Sequence, residues 1–305
     1  MPMARRPPLA AILALLVLLA PALAPAQSIS FTFDDGLDPR REPEAAAWNG
    51  AILRALQEGG VTAMLFPAGR IVDSPEGMEL VRRWGEAGHA VGNHTYSHRD
   101  LASAEVSVDT FAQDVLRAER LLQDTKGWAR RLRFPYLKEG DTAAKRDAMR
   151  RWMAEHDYRP APVSIDTSDW YYNQRASQWR ARHPGEDPEP LRRAYLAHLW
   201  DRALFYDGLA RATLGRSPAH VLLLHTNRIN ARFLPDILAM FRARGWKIVS
   251  PAEAFEDPLY AMTPSVVPAG ESILWSLAKQ AGVPGLRYPA EDDVYEKPAL
   301  DALGF

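Results

Sequence analysis

The sequence predicts an α/β protein made of parallel βα units, on three observations. Short apolar or β-branched runs alternate with helix-period segments at least six times. Polar clusters fall at the carboxyl end of one run after another. At 47% hydrophobic and 25% charged over 305 residues, the composition is that of a globular protein, which excludes disordered and fibrous classes.

The elements follow in order. Ser28 to Phe33 alternates polar and apolar residues, predicts a strand, and ends in Asp34-Asp35-Gly36. Glu44 to Glu58 places Trp48, Ile52, Leu53 and Leu56 at helical spacing and stops at Gly59-Gly60. Val61 to Phe66 is a second strand. Ser74-Pro75-Glu76 is a helix start, with a capping serine and proline in the first turn, and this helix runs to Gly88. Ala90-Val91 opens a third strand, followed at once by Asn93-His94. A helix from Asp109 to Gln123 leads to Leu132-Arg133-Phe134, and another spans Asp141 to Glu155. Pro162 to Ile165 reads as a fifth strand. Val221 to Leu224 reads as a strand buried on both faces. A helix from Arg232 to Arg244 and a strand from Trp246 to Val249 complete the series.

Two segments interrupt the alternation. Tyr171 to Ala219 is a Trp-, Tyr- and Arg-rich insertion, helical from Leu191 to Leu214; Tyr171, Tyr172, Trp179 and Trp200 are candidates for a sugar-stacking wall. Residues 257–305 form a Pro-punctuated extension expected to pack on a single domain spanning 27–256. The first 26 residues are expected to be a cleaved signal peptide. Arg5-Arg6 precede an apolar run from Leu9 to Leu19, and a small-x-small site ends at Ala26. Pro21 shortens that run below the roughly 20 apolar residues a membrane span needs, so no stable span is expected after cleavage. The expected location is therefore secreted or periplasmic.

Composition narrows the chemistry. The net charge of −1, or −3 once Arg5 and Arg6 are removed, gives no reason to expect nucleic acid as a partner. With no Cys there is no disulfide, no thiolate-bound metal and no thiol nucleophile. A metal must be held by imidazoles and carboxylates. No Gly-rich phosphate loop follows any strand.

Asp34-Asp35 follow the first strand, His94 the third, Arg133 the fourth, Asp166 and Asp169 the fifth, and His225 the buried one. In βα barrels those ends share one face, so the groups converge. His94 and His98 stand four apart, and in a helical turn both rings would leave one face, as in helical zinc sites. One of Asp34 and Asp35 can complete a His₂Asp site, leaving the other to take a proton from the activated water. His225 can protonate a leaving group, Asp169 beside Trp170 can orient it, and Arg133 can keep the free carboxyl ionised. His89, His156, His183, His198 and His220 have no such company.

Five motifs in order, Thr32-Phe33-Asp34-Asp35-Gly36, His94-Thr95-Tyr96-Ser97-His98, Arg133-Phe134-Pro135-Tyr136, Asp166-Thr167-Ser168-Asp169-Trp170 and Leu222-Leu223-Leu224-His225, resemble those of the NodB-type polysaccharide deacetylases, carbohydrate esterase family 4. The resemblance implies a distorted (β/α) barrel of six to eight strands with a helical insertion at 171–219. It implies zinc or another divalent metal on Asp35, His94 and His98. Asp34 would be the base, His225 the acid, Arg133 and Asp169 their partners. The Tyr136 N–H would bind the oxyanion, and Tyr136 and Trp170 would contact substrate. Phe134 and Leu137 replace a proline and a glycine of the family pattern. The implied activity is hydrolysis of acetyl groups on an acetylated polysaccharide or oligosaccharide by attack of zinc-bound water. The competing readings are a metal-dependent amidase acting on a small non-sugar molecule, and a carbohydrate-binding relic without turnover.

Overall fold

A computed structural model describes residues 27–184, 189–287 and 294–305. The expected signal peptide lies outside the described residues.

Seven strands build the main sheet. β1 (Ser28–Asp35) pairs in parallel with β2 (Met64–Pro67), which continues to β3 (Ala90–Asn93) and β4 (Trp128–Leu132). β5 (Lys138–Gly140) stands outside this sheet, and the two-residue β6 (Arg159–Pro160) pairs with β4. β7 (Ala219–His225) lies on the other side of β1, and β8 (Lys247–Ile248) joins the start of β1. α1 (Ala45–Glu58), α2 (Gly69–Val72), α3 (Pro75–Glu86), α4 (Val108–Leu122) and α5 (Ala143–Glu155) connect the early strands. The Ser74 hydroxyl accepts from Gly77 N at 2.8 Å, the cap read from the sequence.

The predicted strand at Pro162 to Ile165 does not form as a regular strand. Proline at 162 removes a ladder donor, and the segment changes partner along its length instead. Ala161 N bonds Leu132 O at 2.9 Å, whereas Ser164 N and Ile165 N bond Val221 O on β7 at 3.1 and 3.0 Å, and Leu223 N returns to Ile165 O at 3.0 Å. Residues 159–165 thus bridge β4 to β7 and close the curled sheet into a distorted six-stave barrel, with β8 as an outlier.

β1 shows why the alternation in the sequence is informative. Ile29, Phe31 and Phe33 point outward under the helices: Phe33 meets Trp84 of α3, and Phe31 meets Phe241. Ser30, Thr32 and Asp34 form the other face and are equally buried, so the polar side faces the barrel interior rather than solvent. Thr32 is satisfied there by donating to Leu222 O at 2.8 Å.

The insertion forms α6 (Asp169–Arg182) and α7 (Glu189–Leu214), and α8 (Arg228–Ala243) follows β7. The insertion's aromatics do not make a sugar-stacking wall. Tyr171 and Tyr172 are buried, Trp200 packs on Phe241 and Trp246, and Trp179 stacks on His183. Beyond β8, α9 (Pro251–Ala254), β9 (Ala269–Gly270), α10 (Ile273–Gln280) and α11 (Glu296–Ala302) run over the barrel, with α10 against α7. β9 pairs antiparallel with β5. No helix among the described residues is long and apolar enough to cross a membrane.

Candidate active site

The carboxyl ends of the staves surround one cavity of about 350 Å³. It is lined by Asp34, Asp35, His94, His98, Tyr136, Trp170 and His225, together with Phe134, Leu137, Asp166, Thr167 and Leu223.

β1 delivers both aspartates. Its register sets Asp34 beside His225 on β7 and beside Phe66 on β2. The chain then turns sharply, with Asp35 and Gly36 both at φ 80°. A side chain at Gly36 would run into Val72, so only glycine fits this turn. Asp34 is received by Arg133, whose Nη1 lies 3.1 and 3.2 Å from its two oxygens. The same guanidinium donates to Ala161 O at 2.6 Å and to the Thr32 hydroxyl at 3.1 Å. Burial pushes the Asp34 carboxyl up to about 6, with Arg133 pulling against it.

His94 and His98 are not on a helical turn. Residues 94–98 form a loop in which Thr95 and His98 take φ 60° and 53°. Thr95 N bonds the Asn93 side chain at 2.8 Å, and Ser97 is held by Asp114 of α4 through its N–H at 2.7 Å and its hydroxyl at 2.8 Å. Tertiary bonds therefore supply what helical spacing was expected to supply. His94 Nδ1 lies 2.8 Å from Arg133 O, an acceptor that fixes the proton on Nδ1 and leaves Nε2 its lone pair. Burial lowers the affinity of both rings for a proton, which keeps them in the ligating form.

His94 Nε2 and His98 Nε2 are 3.2 Å apart, and Asp35 Oδ1 is 3.4 Å from His98 Nε2 and 3.7 Å from His94 Nε2. Two donors about 2.0–2.1 Å from a tetrahedral ion sit about 3.3 Å from each other, so the three fit a zinc-like cation. Asp35 Oδ1 is buried with no hydrogen-bond partner, and an orphaned carboxylate oxygen between two imidazole nitrogens is what an ion satisfies.

His225 sits against Asp169, Nδ1 to Oδ1 at 2.7 Å. Asp169 opens α6 and is fully buried. Its other oxygen accepts from His225 N at 2.8 Å, Asn227 at 3.0 Å and Asn230 at 2.7 Å. Burial alone would lower the His225 pKa; the Asp169 carboxylate outweighs it and raises it to about 10. Burial would likewise raise Asp169, but the imidazolium and these hydrogen bonds hold it below its usual range.

Arg133 and Asp169 stand behind the cavity rather than on it. Sequence reasoning missed Asn227 and Asn230, which fix Asp169; their signal was two amides at i,i+3 just after a strand-end histidine. It also gave Asp166 no role, although this residue lines the cavity, keeps a buried oxygen without a partner, and is raised by burial to about 7.

Residues 23–158 match the family of polysaccharide deacetylases. Over 143 residues, 47% of the chain, the sequence is 31% identical to a peptidoglycan-N-acetylglucosamine deacetylase of Bacillus cereus, covering 46% of that protein. It is 30% identical over 148 residues to a chitooligosaccharide deacetylase of Azorhizobium caulinodans, covering 61% of it. The chain thus spans about half the length of the curated relatives it matches. Among solved structures, a family 4 carbohydrate esterase pseudoenzyme from Bacillus anthracis is similar over 75% of this chain and 66% of that one, with TM-score 0.53 and 18% identity. The peptidoglycan deacetylase PdaC from Bacillus subtilis is similar over 76% and 91%, with TM-score 0.50 and 21% identity. These two establish the fold. Three of the five motifs around the cavity lie within residues 23–158, the part similar to the polysaccharide deacetylase family, and the barrel is similar to these two solved structures.

Proposed function

We propose that the protein is a metal-dependent hydrolase that removes acetyl groups from an acetylated carbohydrate. The observation that carries this reading is the meeting, in one cavity, of a three-donor metal site with two further titratable groups held in different states. Asp35, His94 and His98 would hold zinc or another divalent cation. Bound there, the cation supplies Lewis acidity, polarising the acetyl carbonyl and making a coordinated water easier to deprotonate.

The chain's own residues do the rest. Asp34, ionised beside Arg133, takes the proton of the attacking water as the new C–O bond forms at the acetyl carbon. The Tyr136 N–H donates to the carbonyl oxygen as it gains charge. His225, kept protonated by Asp169, gives its Nε2 proton to the departing sugar nitrogen or oxygen as that bond breaks, releasing acetate. Trp170 and the exposed Tyr136 ring flank the cavity and would contact the sugar.

A NodB-type barrel alone does not decide activity, since one structural relative is a pseudoenzyme. The complete set of groups here argues against a carbohydrate-binding relic. The apolar run at residues 9–19 with its small-residue site supports export to the periplasm or medium. Acetate release from a panel of acetylated glycans, with and without chelator, tests the activity. Release that stops with chelator and returns with zinc is expected. Release from small amides only would favour an amidase, and glycan binding with no release would overturn the hydrolase reading. N-terminal sequencing of the exported protein should begin at Gln27.

A further inference from the structure

Tyr136 and Leu137 are consecutive non-glycine residues at φ 54° and 57°. Left-handed backbone at two L-residues in a row is costly and persists only where surrounding structure enforces it. Leu137 occupies this conformation where the related pattern carries glycine. The enforcing element comes from far along the chain. Gly270 of β9 lies opposite Lys138, and Glu271 N donates to Leu137 O at 2.9 Å. Glu271 also forms an ion pair with Lys138. On its other side the same segment is stitched to the stave that closes the barrel: the Ser272 hydroxyl bonds Ser164 O at 2.8 Å, and Ile273 N bonds Val163 O at 2.9 Å. Gly270 makes the contact possible. It sits at φ +121°, and a Cβ there would lie 1.9 Å from Leu137 O.

We infer that the segment Ala269–Ile273 of the C-terminal extension is a clamp that sets the position of the Tyr136 N–H, with Gly270 as a positioning residue for the deacetylation. The segment lies outside residues 23–158, the part matched by the family. It joins the Tyr136 loop to the stave leading into Asp166 and Asp169, so one strand fixes both sides of the cavity. The catalytic half of this inference rests on the hydrolase reading above; the structural half does not.

The test compares Gly270→Ala with Gly208→Ala, a control on an exposed helical face with open space around it. Hydrogen exchange of residues 135–140, read without any substrate, should quicken in Gly270→Ala and remain as in the parent in Gly208→Ala. Exchange in residues 90–98 and zinc content should stay unchanged in both. With an acetylated chitooligosaccharide, kcat of Gly270→Ala should fall on the order of 10²-fold, the scale of losing one oxyanion donor, with KM little altered. Parent-like exchange in 135–140 would overturn the clamp. Faster exchange with parent-like kcat would overturn its catalytic role. If the parent itself releases no acetate, the hydrolase reading fails, while the exchange result still decides the clamp. Should Gly270→Ala not fold, Glu271→Gln removes the Lys138 ion pair but keeps the backbone bond, and a smaller change in the same direction is expected; no change in exchange would again count against the clamp.

Discussion

At the scale of residues, the site separates two carboxylates one position apart by what each faces. Asp34 meets a guanidinium, and Asp35 meets two imidazole nitrogens with nothing else to satisfy its buried oxygen. Replacing Asp34 by Asn should therefore leave zinc binding intact and lower turnover roughly 10² to 10⁴-fold, the usual worth of a general base; zinc content by metal analysis and acetate release measure the two effects separately. The opposite pole is His225. Its proton is held to about pH 10 by Asp169, so loss of the protonated acid should appear as an alkaline limb in kcat. Asp169→Asn removes the charge that favours the imidazolium, and the limb should move to lower pH by roughly 1–3 units. A pH profile of the variant with an unmoved alkaline limb would exclude this assignment. Not every familiar grouping is chemistry. Ser164, His220 and Asp207 also form a hydroxyl–imidazole–carboxylate chain at 3.1 and 3.3 Å, but Ser164 and His220 are fully buried, and the chain serves to satisfy polar groups under β7.

Elements explain which parts of the site were legible. The types at strand ends were readable because chemistry restricts them: only imidazole and carboxylate could bind a metal in a chain without Cys. How His94 and His98 come together was not readable, because their loop depends on Asp114, a residue 16 positions after His98 on a different element. Asp114→Ala should accordingly weaken zinc binding by roughly 10 to 100-fold, as loss of supporting hydrogen bonds around metal ligands does; competition with a chromogenic chelator reads the change. The expected strand at 162–165 failed for a similar reason. A segment that trades one neighbour for another has no single ladder and no periodicity to betray it. α6 escaped the reading too, since its aromatic and arginine residues point to several environments and give no clean apolar stripe.

For the whole molecule, buried histidines outside the cavity, His89 and His198 among them, set a limit on acid tolerance. Burial lowers His89 to about 4 and His198 to about 3, against an ordinary value of 6.5. His89 Nδ1 accepts from Ala63 N, a bond that protonation would abolish. The unfolded chain therefore binds these protons first, and stability falls as pH drops from about 6.5 towards 4. Melting temperatures measured between pH 7.5 and 4.5 should decline, and His89→Gln should flatten part of that decline. A larger consequence lies in Arg133. Its single side chain ties together Thr32 and Asp34 of β1 and Ala161 of the closing stave, while its own carbonyl braces His94. The rivet that rounds the cylinder is also the counter-ion of Asp34, the proposed proton acceptor. On the proposed reading, a half-assembled ring would have no competent centre, and acetate release would wait for the last stave.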